Sequence, residues 1–327
     1  MTDQPILITG AAGFIGLHVA RRLLVEGRQV VGLDNLSDYY DPALKQSRLD
    51  LLKREAGFRF VQADLADRDA VASLFAENRF NTVIHLAAQA GVRFSIEQPH
   101  AYADANLQGF VNVLEGCRHH QCRHLIYASS SSVYGANTKL PFSTDDRTDH
   151  PVSFYAATKK ANEVMAYSYS HLYRLPVTGL RFFTIYGPWG RPDMAIFLFT
   201  KSIVEGRPIK LFNHGRMRRD FTYVDDVVQV VSRLADQAPA ANGPGVPARI
   251  YNVGNHRPEE LTDVVSLIEK ELGRAAIKEM LPMQPGDVSE TFADVGDLKR
   301  DVGFEPRTSI EDGVRNFIAW YCSYYGI

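Results

Sequence analysis

The stretch Ile6-Leu-Ile-Thr-Gly10-Ala-Ala-Gly13-Phe-Ile-Gly16 decides the fold. Its first half is an apolar run, which reads as a strand over 5–10. Its second half is a G-x-x-G-x-x-G pattern that opens a helix over 13–27. Glycines there let the backbone turn sharply and approach a pyrophosphate, while the helix start offers unpaired N–H groups and the positive end of its dipole. A glycine triplet alone also fits an ordinary turn. The next strand, 29–34, ends in Asp34, 18 residues past Gly16. An acid there can accept both ribose hydroxyls of an adenosine and repels a 2′-phosphate, which favours NAD over NADP. The alternative is a simple turn followed by a surface acid. Asp64, ending the third strand, would lie beside the adenine, or else is an ordinary loop residue.

Outward from that loop, apolar runs at 58–65, 81–88, 124–130 and 177–183 alternate with helical stretches at about 67–77, 99–119 and 153–172. Continuous apolar strands separated by helices imply a parallel sheet covered on both faces. The expected fold is α/β: a Rossmann-like, doubly wound parallel sheet. The second half is broken by Pro and Gly at 187–192, 237–247 and 282–287, has shorter strands, and carries a helix at about 261–272. It reads as a smaller C-terminal α/β substrate lobe. The expected domains are 1–184, to which about 215–255 returns, and a lobe made mainly of 185–327.

With 327 residues, 45% of them hydrophobic, the chain can bury one large core or two linked ones. A net charge of -2 and no long basic run argue against nucleic acid as a partner. No apolar run reaches the ~20 residues that span a bilayer, so no membrane partner is expected. The start lacks a basic-then-apolar signal pattern. Three cysteines, Cys117, Cys122 and Cys322, make no disulfide framework and fit a reducing cytoplasm. No Cys or His pair has zinc-site spacing, and His119-His120 beside His124 read as a solvated helix end, so no metal is expected.

Two further stretches carry chemistry. Tyr155-Ala-Ala-Thr-Lys159 puts Tyr and Lys on one helical face, where an ammonium stabilises a phenolate and lowers the tyrosine pKa from about 10. Such a phenolate can take a proton from a sugar hydroxyl while hydride leaves the same carbon. Twenty residues earlier, Ser129-Ser-Ser-Ser132-Val-Tyr-Gly135 sets four serines at the end of an apolar strand. Serine is a poor strand former and a common cap, so these hydroxyls either satisfy backbone groups or face a ligand.

The pieces TGAAGFIG, LAAQAGVR, ASSSSVYG, YAATK, RFFTIYGP and RRDFTYVDD together resemble the extended short-chain dehydrogenase/reductases, specifically the nucleotide-sugar epimerases, almost end to end. The resemblance implies tightly held NAD and a UDP-sugar between two lobes. It implies catalysis by Ser130, Tyr155 and Lys159, with Ser130 bonding the sugar's O4. On the matching stretches the cofactor positions are Gly10, Gly13, Phe14, Ile15, Gly16, Leu86, Ala87, Ala88 and, besides their catalytic part, Tyr155 and Lys159, with Asp34-Asn35 and Asp64-Leu65 at the neighbouring strand ends. It also implies a homodimer built through a four-helix bundle of the helices at about 99–119 and 153–172, although their apolar faces would equally pack on the sheet.

Relatives with other activities carry acids beside the catalytic Ser/Thr: Asp-Glu in a 4,6-dehydratase, Glu in a UDP-glucuronate decarboxylase. Here stand Ser131 and Ser132, and hydroxyls cannot serve as carboxylate acids or bases at neutral pH. The chemistry should therefore stop at the 4-ketone and return as 4-epimerisation. A sugar carboxylate needs donors and tolerates no nearby acid, which suits Ser131 and Ser132. Thr184 replaces the Asn common in galactose-type relatives. The stretches AAQAGVRFSIEQPHAY, with Arg93, and GPWGRPDMA, with Arg191, match the UDP-glucuronate subgroup. Arg191 would oppose the carboxylate or the diphosphate. Arg219 would clamp the diphosphate; Phe212 would stack on uracil or sit in a core; Asp287 would bind ribose, although Gln284 replaces an Arg usual three residues before it. The expected activity is UDP-glucuronate/UDP-galacturonate 4-epimerisation. The alternatives are a UDP-glucose/UDP-galactose 4-epimerase and a UDP-glucuronate decarboxylase.

Overall fold

A computed structural model describes residues 4–240, 245–283 and 289–327. The chain divides into two compact units. The first holds residues up to Gly135, Arg147–Arg181 and Val228–Tyr251; the second holds Ala136–Asp146, Phe182–Val227 and the chain from Asn252 onward. The excursion at 136–146 falls where no composition shift marks the sequence.

In the first unit β1 (Ile6–Thr9), α1 (Phe14–Val25), β2 (Val30–Asp34), α2 (Pro42–Lys53), β3 (Phe58–Gln62), α3 (Arg68–Glu77) and β4 (Thr82–His85) alternate. Two short helices, α4 (Phe94–Glu97) and α5 (Pro99–Tyr102), precede α6 (Gly109–His119). Then come β5 (His124–Ser130), α7 (Phe154–Tyr173) and β6 (Val177–Phe182), and later α9 (Val224–Ala235) and β10 (Ala248–Val253) bring the chain back from the second unit. The sheet order is β10-β6-β5-β4-β1-β2-β3, with β3, β2, β1, β4 and β5 paired in parallel. This is the doubly wound α/β sheet. Strand order reverses between β1 and β4, and crevices for ligands open at the carboxyl ends of strands at such a switch point. The core is built from apolar residues of β1, β4 and β5 and the inner faces of the helices, including Leu7, Val83, Phe110, Leu114 and Leu125.

The structure departs from the sequence reading in two informative places. Helix α2 is absent from that reading because its buried face includes Lys45 and Arg48, which break the apolar period. The helix expected at 99–119 is interrupted by a π-helical turn at Ala103–Gln108. Buried Asn106 explains it. Its side chain accepts from Gln89 N (2.8 Å) and donates to Gln89 O (3.0 Å), while its own carbonyl accepts from Asn162 Nδ2 (2.7 Å). The widened turn ties the loop after β4 to α7, and such turns recur where function needs local geometry.

The second unit holds β7 (Thr184–Tyr186), α8 (Ala195–Val204), β8 (Ile209–Leu211), β9 (Arg218–Tyr223), β11 (Pro258–Glu260), α10 (Leu261–Leu272), β12 (Lys278–Met280), β13 (Glu290–Thr291), α11 (Gly296–Val302) and α12 (Ile310–Tyr325). β9 pairs with β11, β13 and β7, and β12 pairs with β8. Fully buried Asp220 organises this unit, accepting from Thr222 Oγ1, Asn255 N, His256 N and Ala293 N. Burial raises its pKa to about 6 against the pull of those donors. Among the described residues no helix is long and apolar enough to cross a membrane.

Candidate active site

The glycine loop is built so that nothing larger than hydrogen fits. Gly10 has φ +75°, and a Cβ on it would meet Ala87 N at 2.7 Å and Ala87 Cα at 2.9 Å. A Cβ on Gly16 would meet Gly10 O at 2.0 Å. Gly10 N (2.7 Å) and Ala11 N (3.2 Å) donate to Leu33 O, which pins the loop to β2. Gly13 is the residue before α1 and brings no side chain to its first amides. Thr9 Oγ1 accepts from Ala87 N (3.2 Å) and lies 2.9 Å from His85 Nδ1, joining the ends of β1 and β4 across the switch point. Burial, and next the charge of Lys159, hold His85 neutral down to about pH 3. Leu86 N donates to Thr9 O (3.1 Å).

Asp34 is 7% exposed and accepts from Ala12 N (3.1 Å) and Leu36 N (2.8 Å). A carboxylate offers about four lone-pair sites, so two acceptor positions remain for ribose hydroxyls. Burial raises its pKa, and those amides together with the charges of Lys45 and Arg48 pull it back. Both cations went unread in the sequence. Arg48, fully buried, donates to Ala12 O (3.2 Å) and Tyr40 Oη (2.6 Å), and Lys45 Nζ donates to Ser37 Oγ (2.8 Å). Asp64 accepts from Asn35 Nδ2 (2.9 Å) and Ala66 N (2.8 Å), so it braces the loops after β2 and β3. Leu65 and Phe14 are buried, Ile15 and Ala88 half-buried. A Cβ-free cradle, an uncapped helix start and an acid with spare acceptor capacity fit NAD.

The second cluster surrounds the end of β5. Helix α7 starts at Ser153, whose Oγ accepts from Ala156 N (3.1 Å). Tyr155 sits half-buried in its first turn, with its ring edge against Tyr102 (centroids 6.1 Å apart). One turn on, buried Lys159 donates to Ala128 O (3.0 Å), two residues before Ser130, and burial lowers its pKa to about 8. The four serines divide their work. Ser129 is buried and donates to Glu163 Oε1 (2.6 Å). Ser130 Oγ accepts from Ser132 N (3.2 Å) and Ser132 Oγ (3.0 Å), capping a 3-10 turn at Ser131–Tyr134. Both lone-pair directions of Ser130 are thereby used, and its proton is left to donate outward. Ser131 and Ser132 are half-buried.

Glu163 and Arg181 are the residues that the sequence reading missed here. Each is 3% exposed, and Arg181 Nε and Nη2 fork Glu163 at 2.8 and 3.0 Å. A glutamate one turn beyond Lys159, and an arginine inside the apolar strand VTGLRF, were the available signals.

The other expected residues are dispersed. Arg93 is exposed at the start of α4. In the second unit, Thr184, Tyr186, Arg191, Met194, Phe197 and Phe317 line one apolar concavity. Arg191 is forked by Asp193 at Nε (3.0 Å) and Nη2 (2.5 Å). Phe212 is half-buried in a 3-10 turn, and Arg219 Nη1 donates to Arg218 O (2.9 Å) and Ser289 O (3.1 Å). Asp287 and Gln284 lie outside the described residues. Among the described residues no group of His, Cys, Asp and Glu could hold a metal ion.

The sequence model of the NAD dependent epimerase/dehydratase family matches residues 6–254. The chain is 53% identical over 331 residues to Protein CapI of Staphylococcus aureus, covering 98% of this chain and 99% of that protein. It is 50% identical over 331 residues to a probable UDP-glucuronate 4-epimerase of Rhizobium meliloti, covering 98% and 97%. The crystal structure of UDP-glucuronic acid 4-epimerase from Bacillus cereus, in complex with UDP-glucuronic acid and NAD, superposes with a TM-score of 0.89 at 31% identity, covering 98% of this chain and all of that one. With three-quarters of its length matching one family and full-length relatives at half identity, this chain belongs to the NAD dependent epimerase/dehydratase family.

Proposed function

We propose that the protein interconverts UDP-glucuronate and UDP-galacturonate by 4-epimerisation. The observation that supports this reading is the end of β5: Lys159, four residues after Tyr155 on α7, bonds to Ala128 O there, and the strand runs on into hydroxyls at Ser130, Ser131 and Ser132 where acid chemistry would need carboxylates. Glu163 is no substitute acid, because Ser129 and Arg181 already occupy its oxygens. The names of the relatives point the same way.

Gly10, Gly13, Gly16 and the start of α1 would hold the pyrophosphate of NAD, and Asp34 with Asn35 its adenosine ribose. When bound, NAD supplies a hydride acceptor that takes hydrogen from the sugar's C4 and gives it back. Tyr155, as phenolate, removes the O4 proton, and the Lys159 ammonium stabilises that phenolate. Ser130 donates its one available hydrogen bond to O4. The transient 4-keto uronate is a β-keto acid, prone to lose carbon dioxide. The Ser131 hydroxyl donates to the carboxylate and holds it near the ring plane, where the breaking C–C bond overlaps poorly with the ketone, while Ser132 spends its proton on Ser130. By chemistry, Arg219 suits a diphosphate, Phe212 a uracil face and Asp287 a ribose, and Thr184, in place of the Asn of galactose-type relatives, favours the uronate.

Incubation of the protein with a panel of UDP-sugars, followed by NMR of the products, tests this. UDP-glucuronate should give UDP-galacturonate without loss of mass. Carbon dioxide release at a comparable rate would assign a decarboxylase, and faster turnover of UDP-glucose would assign a galactose-type epimerase.

The exposed apolar residues of α7, Val164 (58%), Tyr167 (55%) and Leu172 (63%), support a homodimer in which α6 and α7 of two copies form a four-helix bundle. Light scattering should give twice the 36.6 kDa chain mass, and Val164→Glu with Tyr167→Glu should halve it. A monomeric parent would remove the idea. The free thiols Cys117, Cys122 and Cys322 suit the reducing cytoplasm.

A further inference from the structure

The buried Glu163–Arg181 pair is hard to explain by stability. Two charges at 3% exposure each have lost their water, and replacing such a pair with apolar side chains is often neutral or stabilising. Its connections are more telling. Glu163 Oε1 accepts from Ser129 Oγ at 2.6 Å, so the pair grips the residue just before Ser130. Arg181 Nη1 donates to Tyr134 Oη at 3.0 Å, and the guanidinium lies 4.9 Å from the Tyr134 ring centroid. Tyr134 ends the 3-10 turn that carries Ser131 and Ser132. The serine segment is therefore held at both ends. Glu163 itself lies one turn after Lys159 on α7, and Arg181 comes from β6, the strand beside β5. One network thus joins α7, β5, β6 and the 3-10 turn, all four side chains being buried. Lys160 completes it 3.8 Å from Glu163 Oε2, itself bonded to Thr148 Oγ1 (2.6 Å).

We propose that Glu163 and Arg181 are positioning residues: through Ser129 and Tyr134 they set the placement of Ser130 against Tyr155 and Lys159 without touching the substrate. This rests on the epimerase reading, in which those three residues do the chemistry. A hydroxyl displaced by about 1 Å from a reacting oxygen costs up to roughly 100-fold in rate, which gives the network something to protect.

Two variants test the proposal in the UDP-glucuronate assay, with parent turnover measured first so that a failure of the epimerase reading is seen separately. Ser129→Ala removes one arm and leaves the ion pair intact; kcat should fall about tenfold with KM unchanged and the melting temperature close to the parent's. The triple variant Ser129→Ala/Glu163→Leu/Arg181→Met replaces the network with apolar side chains. It should melt at or above the parent temperature yet lose roughly 10- to 100-fold in kcat, again with little change in KM. A network serving only stability predicts the opposite: kcat would track folding and return with it. Parent-like kcat in Ser129→Ala, or in a triple variant that folds, overturns the proposal. If the triple variant fails to fold, Ser129→Ala decides alone.

Discussion

Tyr155→Phe removes a single oxygen and should lower kcat for epimerisation by about 10^2- to 10^4-fold, the range that a positioned general base contributes. KM should change little, because the phenol's proton is exchanged during reaction rather than used to bind substrate equally throughout. The protein should still bind NAD through its glycine loop and Asp34, which the substitution leaves unchanged. A Tyr155→Phe protein as active as the parent would end the phenolate mechanism. The same assay read against pH should show Lys159. Burial lowers its pKa from 10.5 to about 8, so the ammonium that supports the phenolate disappears as pH rises through 8, and kcat should fall with it. Stability should move the other way. Between pH 8 and 10.5 the folded chain holds the neutral amine while the unfolded chain still binds the proton, so this lysine's contribution to stability rises with pH in that window. Opposite slopes for kcat and melting temperature above pH 8, both flattened by Lys159→Met, are the expected signature.

How much of this was legible in the sequence depends on where each residue sits. The glycine loop, Asp34 and the Tyr155/Lys159 spacing are local patterns, and local patterns survive in one dimension. The parallel, doubly wound sheet followed from alternation of apolar runs with helices, whereas its strand order needed the structure. Residues whose meaning lies in tertiary contacts were harder. Lys45 and Arg48 look like ordinary surface charges of a polar stretch, and only the fold turns them inward onto Ser37, Tyr40 and Ala12. Glu163 and Arg181 are 18 positions apart on a helix and a strand, with no spacing rule to connect them. The sequence assigns roles to Ser130, Ser131 and Ser132 and none to Ser129, yet it is Ser129 that faces a buried acid, while Ser130 and Ser132 bond to each other. Arg191 adds a contact that its motif did not announce, an ion pair with Asp193 two residues on.

Gly16→Ala should weaken NAD binding by roughly 10- to 100-fold, and the reason is geometric. An added Cβ would stand 2.0 Å from Gly10 O, 2.8 Å from Gly10 C and 3.0 Å from Ala11 Cα. These are backbone atoms, so no flexible side chain can swing aside. Gly10 has little room to retreat: it already packs on the Ala87 backbone, and its amide and that of Ala11 are bonded to Leu33 O. The loop must therefore move as a body, at an overpacking cost of about 1–3 kcal/mol, and it moves at the place where the pyrophosphate would rest. Gly13→Ala is a milder case, because its Cβ meets Gly10 O at 2.9 Å and its φ of -75° suits any residue. Gly245→Ala, with nothing within 4 Å of the added carbon, should bind NAD like the parent. The order of NAD dissociation constants, measured by calorimetry, should be Gly16→Ala weakest, then Gly13→Ala, then Gly245→Ala equal to parent. Parent-like affinity in Gly16→Ala would mean that the cofactor does not use this loop, and the assignment of Gly10, Gly13 and Gly16 would fall with it.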